Sequence, residues 1–169
     1  FVQCLSDTSV PLVCASAGNF GQGMAYAAAR RGLTVDVFAS VNANPLKVER
    51  MRALGARVHQ AGVDFDAAKD AARRFAAGRD GWFVEDGKEV TISEGAGTIA
   101  AELLEQVETL HTVLVPLGNG ALLGGVATWL RARAPAIQVV GVCAAKAPSM
   151  RESWLTGRTI ETETADTIA

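Results

Sequence analysis

The chain has 169 residues, of which 49% are hydrophobic and 20% charged, with a formal net charge of −2 and a pI near 5.7. That length suits one ordinary domain or two small ones, and the apolar fraction excludes a disordered chain. Three cysteines exclude a disulfide scaffold, the acidic balance argues against a nucleic-acid partner, and no apolar run nears the ~20 residues of a membrane span.

Apolar runs of strand length alternate with helical patterns along the chain. Val10–Ala15, Thr34–Ser40, Ala56–Gln60, Gly81–Glu85, Thr112–Pro116 and Ile137–Val142 are short and bounded by turn residues, and predict strands. Between and after them, Gly21–Arg31, Pro45–Leu54, Phe65–Ala77, Ala96–Val107, Ala121–Arg133 and Ser149–Thr156 predict helices. Asn44 before Pro45 is a start signal and Gly55 a stop, while Asp64 and Gly78 bracket the third helix. Strands separated by helices predict parallel βαβ crossovers, hence an α/β fold with helices on both faces of its sheets. The polar stretch from Gly87-Lys88 predicts a boundary, with a four-strand α/β unit in residues 1–88 and a two-strand unit in 89–169. The second unit ends in the polar tail Thr159–Ala169 and reads as unfinished. Cys4, Cys14 and Cys143 sit in apolar stretches without a C-x-x-C pair, which predicts small buried thiols of a reducing, cytoplasmic environment.

In open α/β sheets ligands bind beyond the carboxyl ends of strands, and two strand ends stand out. Ser16-Ala17-Gly18-Asn19-Phe20-Gly21-Gln22-Gly23 and Gly118-Asn119-Gly120-Ala121-Leu122-Leu123-Gly124-Gly125 each run from a strand into a helix. Small residues there let backbone N–H groups face a ligand at a helix N-terminus, which suits an anion. The spacing does not match a dinucleotide fingerprint: glycines 18, 21 and 23 miss it, and Leu123 takes the third position in the second loop. From the residues alone, tight turns that only pack helix on sheet and a nucleotide site both remain open.

The first loop with Met24-Ala25-Tyr26-Ala27-Ala28 resembles the S-A-G-N-H-A-Q-G-x-A-x-A-A segment of the pyridoxal-phosphate-dependent threonine/serine dehydratases, fold-type II enzymes of the tryptophan synthase β-like superfamily. Val115–Gly125 is similar to their V-P-x-G-G-G-G-L-x-x-G phosphate loop, and Glu94–Leu103 to their G-Q-G-T-x-A-x-E-I helix start. Val139–Val142 and Thr164–Ala169 are similar to the next strand and to the opening of a T-I-A-D-G segment. The resemblance implies pyridoxal 5'-phosphate as cofactor. It places Ser16, Ala17, Gly18, Asn19 and Phe20 on the substrate carboxylate, with Asn19 also facing the cofactor's ring hydroxyl. Gly118, Asn119, Gly120, Ala121 and Leu122 would cradle the phosphate. A small mobile domain would precede residue 89 and part of a large cofactor-binding domain would follow. A small hydroxy amino acid is the implied substrate, L-threonine or L-serine going to a 2-oxo acid and ammonia, and the full-length protein would assemble from identical copies.

Departures from the pattern carry information. Asn119 and Ala121 replace two glycines, each adding a Cβ beside the phosphate, and Phe20 replaces a histidine. Ala17 stands where racemases of the superfamily carry an acid/base serine, which disfavours racemisation. Cys143 and Ser149 stand where metal-binding members have carboxylates, so no metal is expected. The T-S-G-N-T of sulfhydrylases is not matched. Lys47, Lys69, Lys88 and Lys146 are the only lysines, and none lies in a segment like the family's K-x-R-G-A. Phe1–Leu5 is similar to the end of the helix that this segment opens, so the Schiff-base lysine is expected upstream of Phe1 and no catalytic residue within the chain. Turnover by these residues alone is not expected. A binding-only relative, a threonine synthase-, sulfhydrylase- or racemase-like enzyme, and a nucleotide-dependent enzyme stay open as alternatives. His59, His111 and Glu94 read as ordinary surface groups, Glu94 complementing a helix dipole.

Overall fold

In a computed structural model, residues 1–162 are described; the expected T-I-A segment at Thr164–Ala169 lies outside them. The chain divides into two compact units, Phe1–Glu85 and a second that starts at Asp86.

The first unit is a four-stranded parallel sheet in the order β3-β2-β1-β4. Its elements are β1 (Leu12–Ala15), α1 (Asn19–Ala29), β2 (Val35–Ala39), α2 (Pro45–Ala53), β3 (Arg57–Gln60), α3 (Phe65–Ala77) and β4 (Trp82–Val84). The central strands β1 and β2 are buried throughout, as continuous apolar strands covered on both faces should be. Edge strands β3 and β4 are only partly covered. Helix α3 follows its sequence signals to the residue. The Asp64 carboxylate accepts the Ala67 N–H at 2.8 Å, and Ala68, Ala72 and Ala76 recur every fourth residue as the buried stripe. These small side chains bring the helix close to the sheet, where Ala72 and Ala76 join Val13, Ala15 and Phe38 in one core cluster. Asn44 likewise caps α2, its Oδ1 accepting the Leu46 N–H at 2.9 Å, and Gly55 ends that helix at φ +92.

One polar group lies inside this sheet. Asp36, the second residue of β2, is 1% exposed and faces its register partner Arg57 on the edge strand. Arg57 donates to both carboxylate oxygens, at 3.0 and 2.6 Å, and His59 Nε2 lies 2.7 Å from Oδ1. The His59 ring stacks on Phe38 at 4.6 Å between centroids. Burial alone would raise the Asp36 carboxyl, but the bonds and charges of Arg57 and His59 outweigh it and hold the group below its ordinary value.

The second unit pairs two parallel strands, β5 (Thr112–Pro116) and β6 (Gln138–Val142), in the register Thr112↔Gln138 to Pro116↔Val142. Among the described residues three helices accompany them: α4 (Val90–Gln106), α5 (Ala121–Arg133) and α6 (Ser149–Thr156). Ala100, Val115, Val126 and Leu130 form its core. Helices α4 and α5 cross at glycines, where a Cβ built on Gly125 would lie 2.0 Å from the Ser93 carbonyl oxygen and 2.8 Å from the Gly97 nitrogen. Only hydrogen fits there.

Three sequence expectations need correction. Helix α4 starts at Val90 rather than Ala96, because the glycine crossing holds Ser93 against α5 despite the weak helix propensity of Val90-Thr91-Ile92 and Gly95. Phe1–Leu5 contains a 3₁₀ turn, Val2–Cys4, whose Val2 and Leu5 carbonyls accept from the Arg31 guanidinium, rather than the end of an α-helix. Of the three cysteines only Cys14 is buried; Cys4 is exposed and Cys143 half-buried.

Candidate functional site

Each glycine-rich loop sits at the carboxyl end of a parallel strand and feeds the N-terminus of a helix. In the first, the Ser16 N–H continues the β1–β2 ladder by donating to the Phe38 carbonyl at 2.9 Å. The chain then turns around the Ser16 side chain. Ser16 is 6% exposed, and its Oγ accepts the N–H groups of Gly18 at 3.1 Å and Gly21 at 2.9 Å. Both lone pairs are thereby used, so the hydroxyl is left as a donor only, and among the described residues its proton has no acceptor. Helix α1 makes its first internal bond from Gln22 N–H to the Gly18 carbonyl, 3.3 Å, which leaves the N–H groups of Asn19 and Phe20 without a carbonyl inside the helix. Ala17, Gly18 and Phe20 are half-buried and Asn19 exposed. Gly21 is the close-approach point, since a Cβ there would meet Met51 Sδ at 2.6 Å and Ser16 Cβ at 3.0 Å.

The second loop is built differently. Gly120 is the N-cap of α5 and takes the left-handed conformation, φ +97, that glycine alone adopts without penalty. The left-handed residue is therefore a retained glycine, and Asn119 carries no positive φ. Asn119 Oδ1 accepts the Ala121 N–H at 3.1 Å, and the first internal helix bond runs from Gly124 N–H to the Gly120 carbonyl at 2.8 Å. The N–H groups of Gly120, Leu122 and Leu123 thus precede the helical ladder, and among the described residues they have no backbone carbonyl partner outside it. A Cβ at Gly118 would meet nothing within 4 Å. Beside the loop, a groove of about 520 Å³ runs along α5 and α6 and is lined by Gly120, Leu123, Gly124, Met150, Arg151 and Trp154, among others. A second hollow, about 480 Å³, lies along the single helix α2 and is lined by Asn44, Leu46, Lys47, Glu49, Arg50 and Ala53.

The remaining candidates stay outside the loops. His59 is held by Asp36, an arrangement signalled by an aspartate within a strand with Arg and His two apart on the next strand. His111 Nδ1 lies 2.8 Å from the neighbouring Thr112 hydroxyl, and Glu94 sits in the second turn of α4. Lys69 pairs with Glu85 at 2.5 Å, and Lys47 lies on α2. Among the described residues no three His, Cys, Asp or Glu side chains gather as a metal site, and no helix is long and apolar enough to cross a membrane.

Residues 5–169 match the family described as pyridoxal-phosphate dependent enzyme. The chain is 35% identical over 158 residues to an L-threonine ammonia-lyase of Geobacter sulfurreducens, covering 94% of this chain and 39% of that protein. Its fold is similar to the processed form of threonine deaminase isoform 2 from Solanum lycopersicum, with TM-score 0.88 and 30% identity over 98% of this chain and 46% of that one. It is also similar to maize serine racemase, with TM-score 0.89 and 27% identity over 99% of this chain and 51% of that one. The chain thus spans about half or less of the length of these relatives. It belongs to the pyridoxal-phosphate dependent enzyme family.

Proposed function

We propose that this chain is the part of a pyridoxal-phosphate-dependent ammonia-lyase that binds the cofactor's phosphate and the substrate's carboxylate, in an enzyme turning L-threonine or L-serine into a 2-oxo acid and ammonia. The observation that carries the reading is the pair of strand-to-helix loops, each with unspent N–H groups at a helix start and one with the donor-only hydroxyl of Ser16. Both are suited to anions, and an amino acid and a phosphorylated cofactor each bring one. The second loop fits a phosphate: Gly118 adds no Cβ, Gly120 supplies the left-handed turn, and among the described residues the N–H groups of Gly120, Leu122 and Leu123 have no internal partner. Ala121, at the first helical position, already spends its N–H on Asn119.

Bound pyridoxal phosphate supplies an electron sink for charge developing at the substrate's Cα. This chain's residues bind and orient. The Ser16 hydroxyl and the N–H groups of Asn19 and Phe20 hold the carboxylate, which fixes the Cα–H bond relative to the base. Ala17 offers a methyl group and no proton at the position where racemases of the superfamily carry an acid/base serine, which supports elimination over racemisation. Phe20 makes the loop apolar beside the substrate, where a histidine would add a titratable group. None of Lys47, Lys69, Lys88 and Lys146 lies in a segment like the family's K-x-R-G-A, so the proton-moving lysine is expected outside these residues, and turnover by the 169 residues alone is not expected. Residues 1–88 would serve as the small domain and 89–169 as part of the large one.

The test is to assay the full-length protein with L-threonine, L-serine and D-serine, following 2-oxo acid release and the enantiomer of recovered serine. Release of 2-oxo acid with no D-serine formed from L-serine is expected. Racemisation faster than 2-oxo acid release would turn the assignment toward a racemase, and a β-replacement product toward a sulfhydrylase-like enzyme.

A further inference from the structure

We propose that Asn119 is a positioning residue that occupies the phosphate's place at the start of α5 and must be displaced when the cofactor binds. The inference rests on the phosphate-cradle reading above and adds a competitor to it. The Asn119 carboxamide oxygen accepts the Ala121 N–H at 3.1 Å, the first helical N–H behind the left-handed Gly120. That N–H points along the axis at the positive end of the helix dipole, where a phosphate oxygen would otherwise be bound. A side-chain oxygen carrying a partial negative charge is a weaker version of the same ligand.

Among the described residues, the cap is the hydrogen bond that holds the carboxamide in this position. Asn119 is exposed, and its neighbour Gly87 is in no more than ordinary contact, a Cβ built there lying 3.7 Å from Asn119 Cβ. Rotation of the side chain into solvent therefore frees Ala121 N–H without moving the backbone, because Asn119 has no left-handed strain to release. Without the cofactor the cap keeps the loop in its helix-starting shape. With the cofactor, the apparent affinity is lowered by the fraction of molecules in which the cap is closed. Asn119 thus trades cofactor affinity for order in the empty loop.

The test measures binding and ligand-free stability together, in the full chain, for Asn119→Ala and Asn119→Asp. Pyridoxal phosphate and unphosphorylated pyridoxal are titrated in parallel by absorbance, and the thermal midpoint is taken without ligand. Asn119→Ala should tighten pyridoxal phosphate about five- to tenfold, leave pyridoxal unchanged and lower the ligand-free midpoint by about 2–4 °C. Asn119→Asp, a stronger cap with a full negative charge, should weaken pyridoxal phosphate at least about tenfold while holding or raising the midpoint. These opposite movements of affinity and stability are the signature, since a purely structural residue would lose both together. If pyridoxal phosphate binds more tightly than pyridoxal but Asn119→Ala loosens it or leaves it unchanged, the competitor role is wrong and the cradle stands. If the phosphate makes no difference in any variant, the cradle reading falls and this inference with it.

Discussion

The two loops solve one problem in opposite ways. Around Ser16 the turn is organised from inside, by a buried hydroxyl that gathers two N–H groups and leaves only its proton to offer. Around Gly120 it is organised from the surface, by an exposed carboxamide and a left-handed glycine. A buried hub resists change, because removing it strands donors that water reaches poorly. A surface cap is easily exchanged for another acceptor. The first arrangement resists substitution, and the second tolerates it.

The two arrangements differ in how they respond when the support behind each loop is disturbed. Gly125→Ala should have the largest effect, since its Cβ would overlap the Ser93 carbonyl oxygen at 2.0 Å and backbone has no rotamer to yield. The α4–α5 crossing would have to open, at a cost of about 3 kcal/mol or more, read as a fall in the urea midpoint. A loss below about 1 kcal/mol would mean that the second unit tolerates helix separation.

Ser16→Ala comes next. It leaves the Gly18 and Gly21 N–H groups without their acceptor, the latter buried, at a cost of about 2 kcal/mol. Because the Oγ shapes the loop as well as donating, carboxylate binding should fall with stability, whereas Asn119→Ala moves affinity and stability apart. If Ser16→Ala leaves the urea midpoint unchanged, the hub description fails.

The acid limb of stability reports on the same sheet. Asp36 has a folded-state value below its unfolded one, so its contribution is fully present above the unfolded value of about 4. It is lost as pH falls through the folded value. Asp36→Asn should therefore flatten the loss of stability below about pH 4 and lower stability near neutrality by about 1–2 kcal/mol, with Arg57 half-exposed and able to find water. An unchanged acid limb in urea titrations would show that other carboxylates govern it.

What the sequence disclosed follows from how local each cause is. Helix α3 and the cap of α2 were readable because Asp64, Asn44 and Pro45 act on their own next turn. Parallel pairing was readable from the alternation of apolar runs with helices. The start of α4 was not, since it depends on Gly97 meeting Gly125 from a helix 28 residues away in sequence, and propensity at Val90–Ile92 points the other way. The same holds for the loops. Their glycines announce tight strand-to-helix turns, but that Ser16 is a two-bond hub and that Asn119 caps α5 depends on side-chain directions that composition does not encode.

The smallest expected stability change is the most discriminating. A Cβ at Gly118 meets nothing within 4 Å and its φ is not in the left-handed region, so Gly118→Ala should leave stability within about 0.5 kcal/mol of the original. Gly120→Ala forces a Cβ into φ +97 and should cost about 1–2 kcal/mol. If this loop cradles a phosphate, Gly118→Ala must nevertheless weaken pyridoxal phosphate relative to pyridoxal, because the open space its methyl enters is the space the phosphate needs. A methyl group harmless to the fold and harmful to binding separates a ligand site from a turn that merely packs helix on sheet. Equal affinity in Gly118→Ala and the parent chain would leave the loop as such a turn.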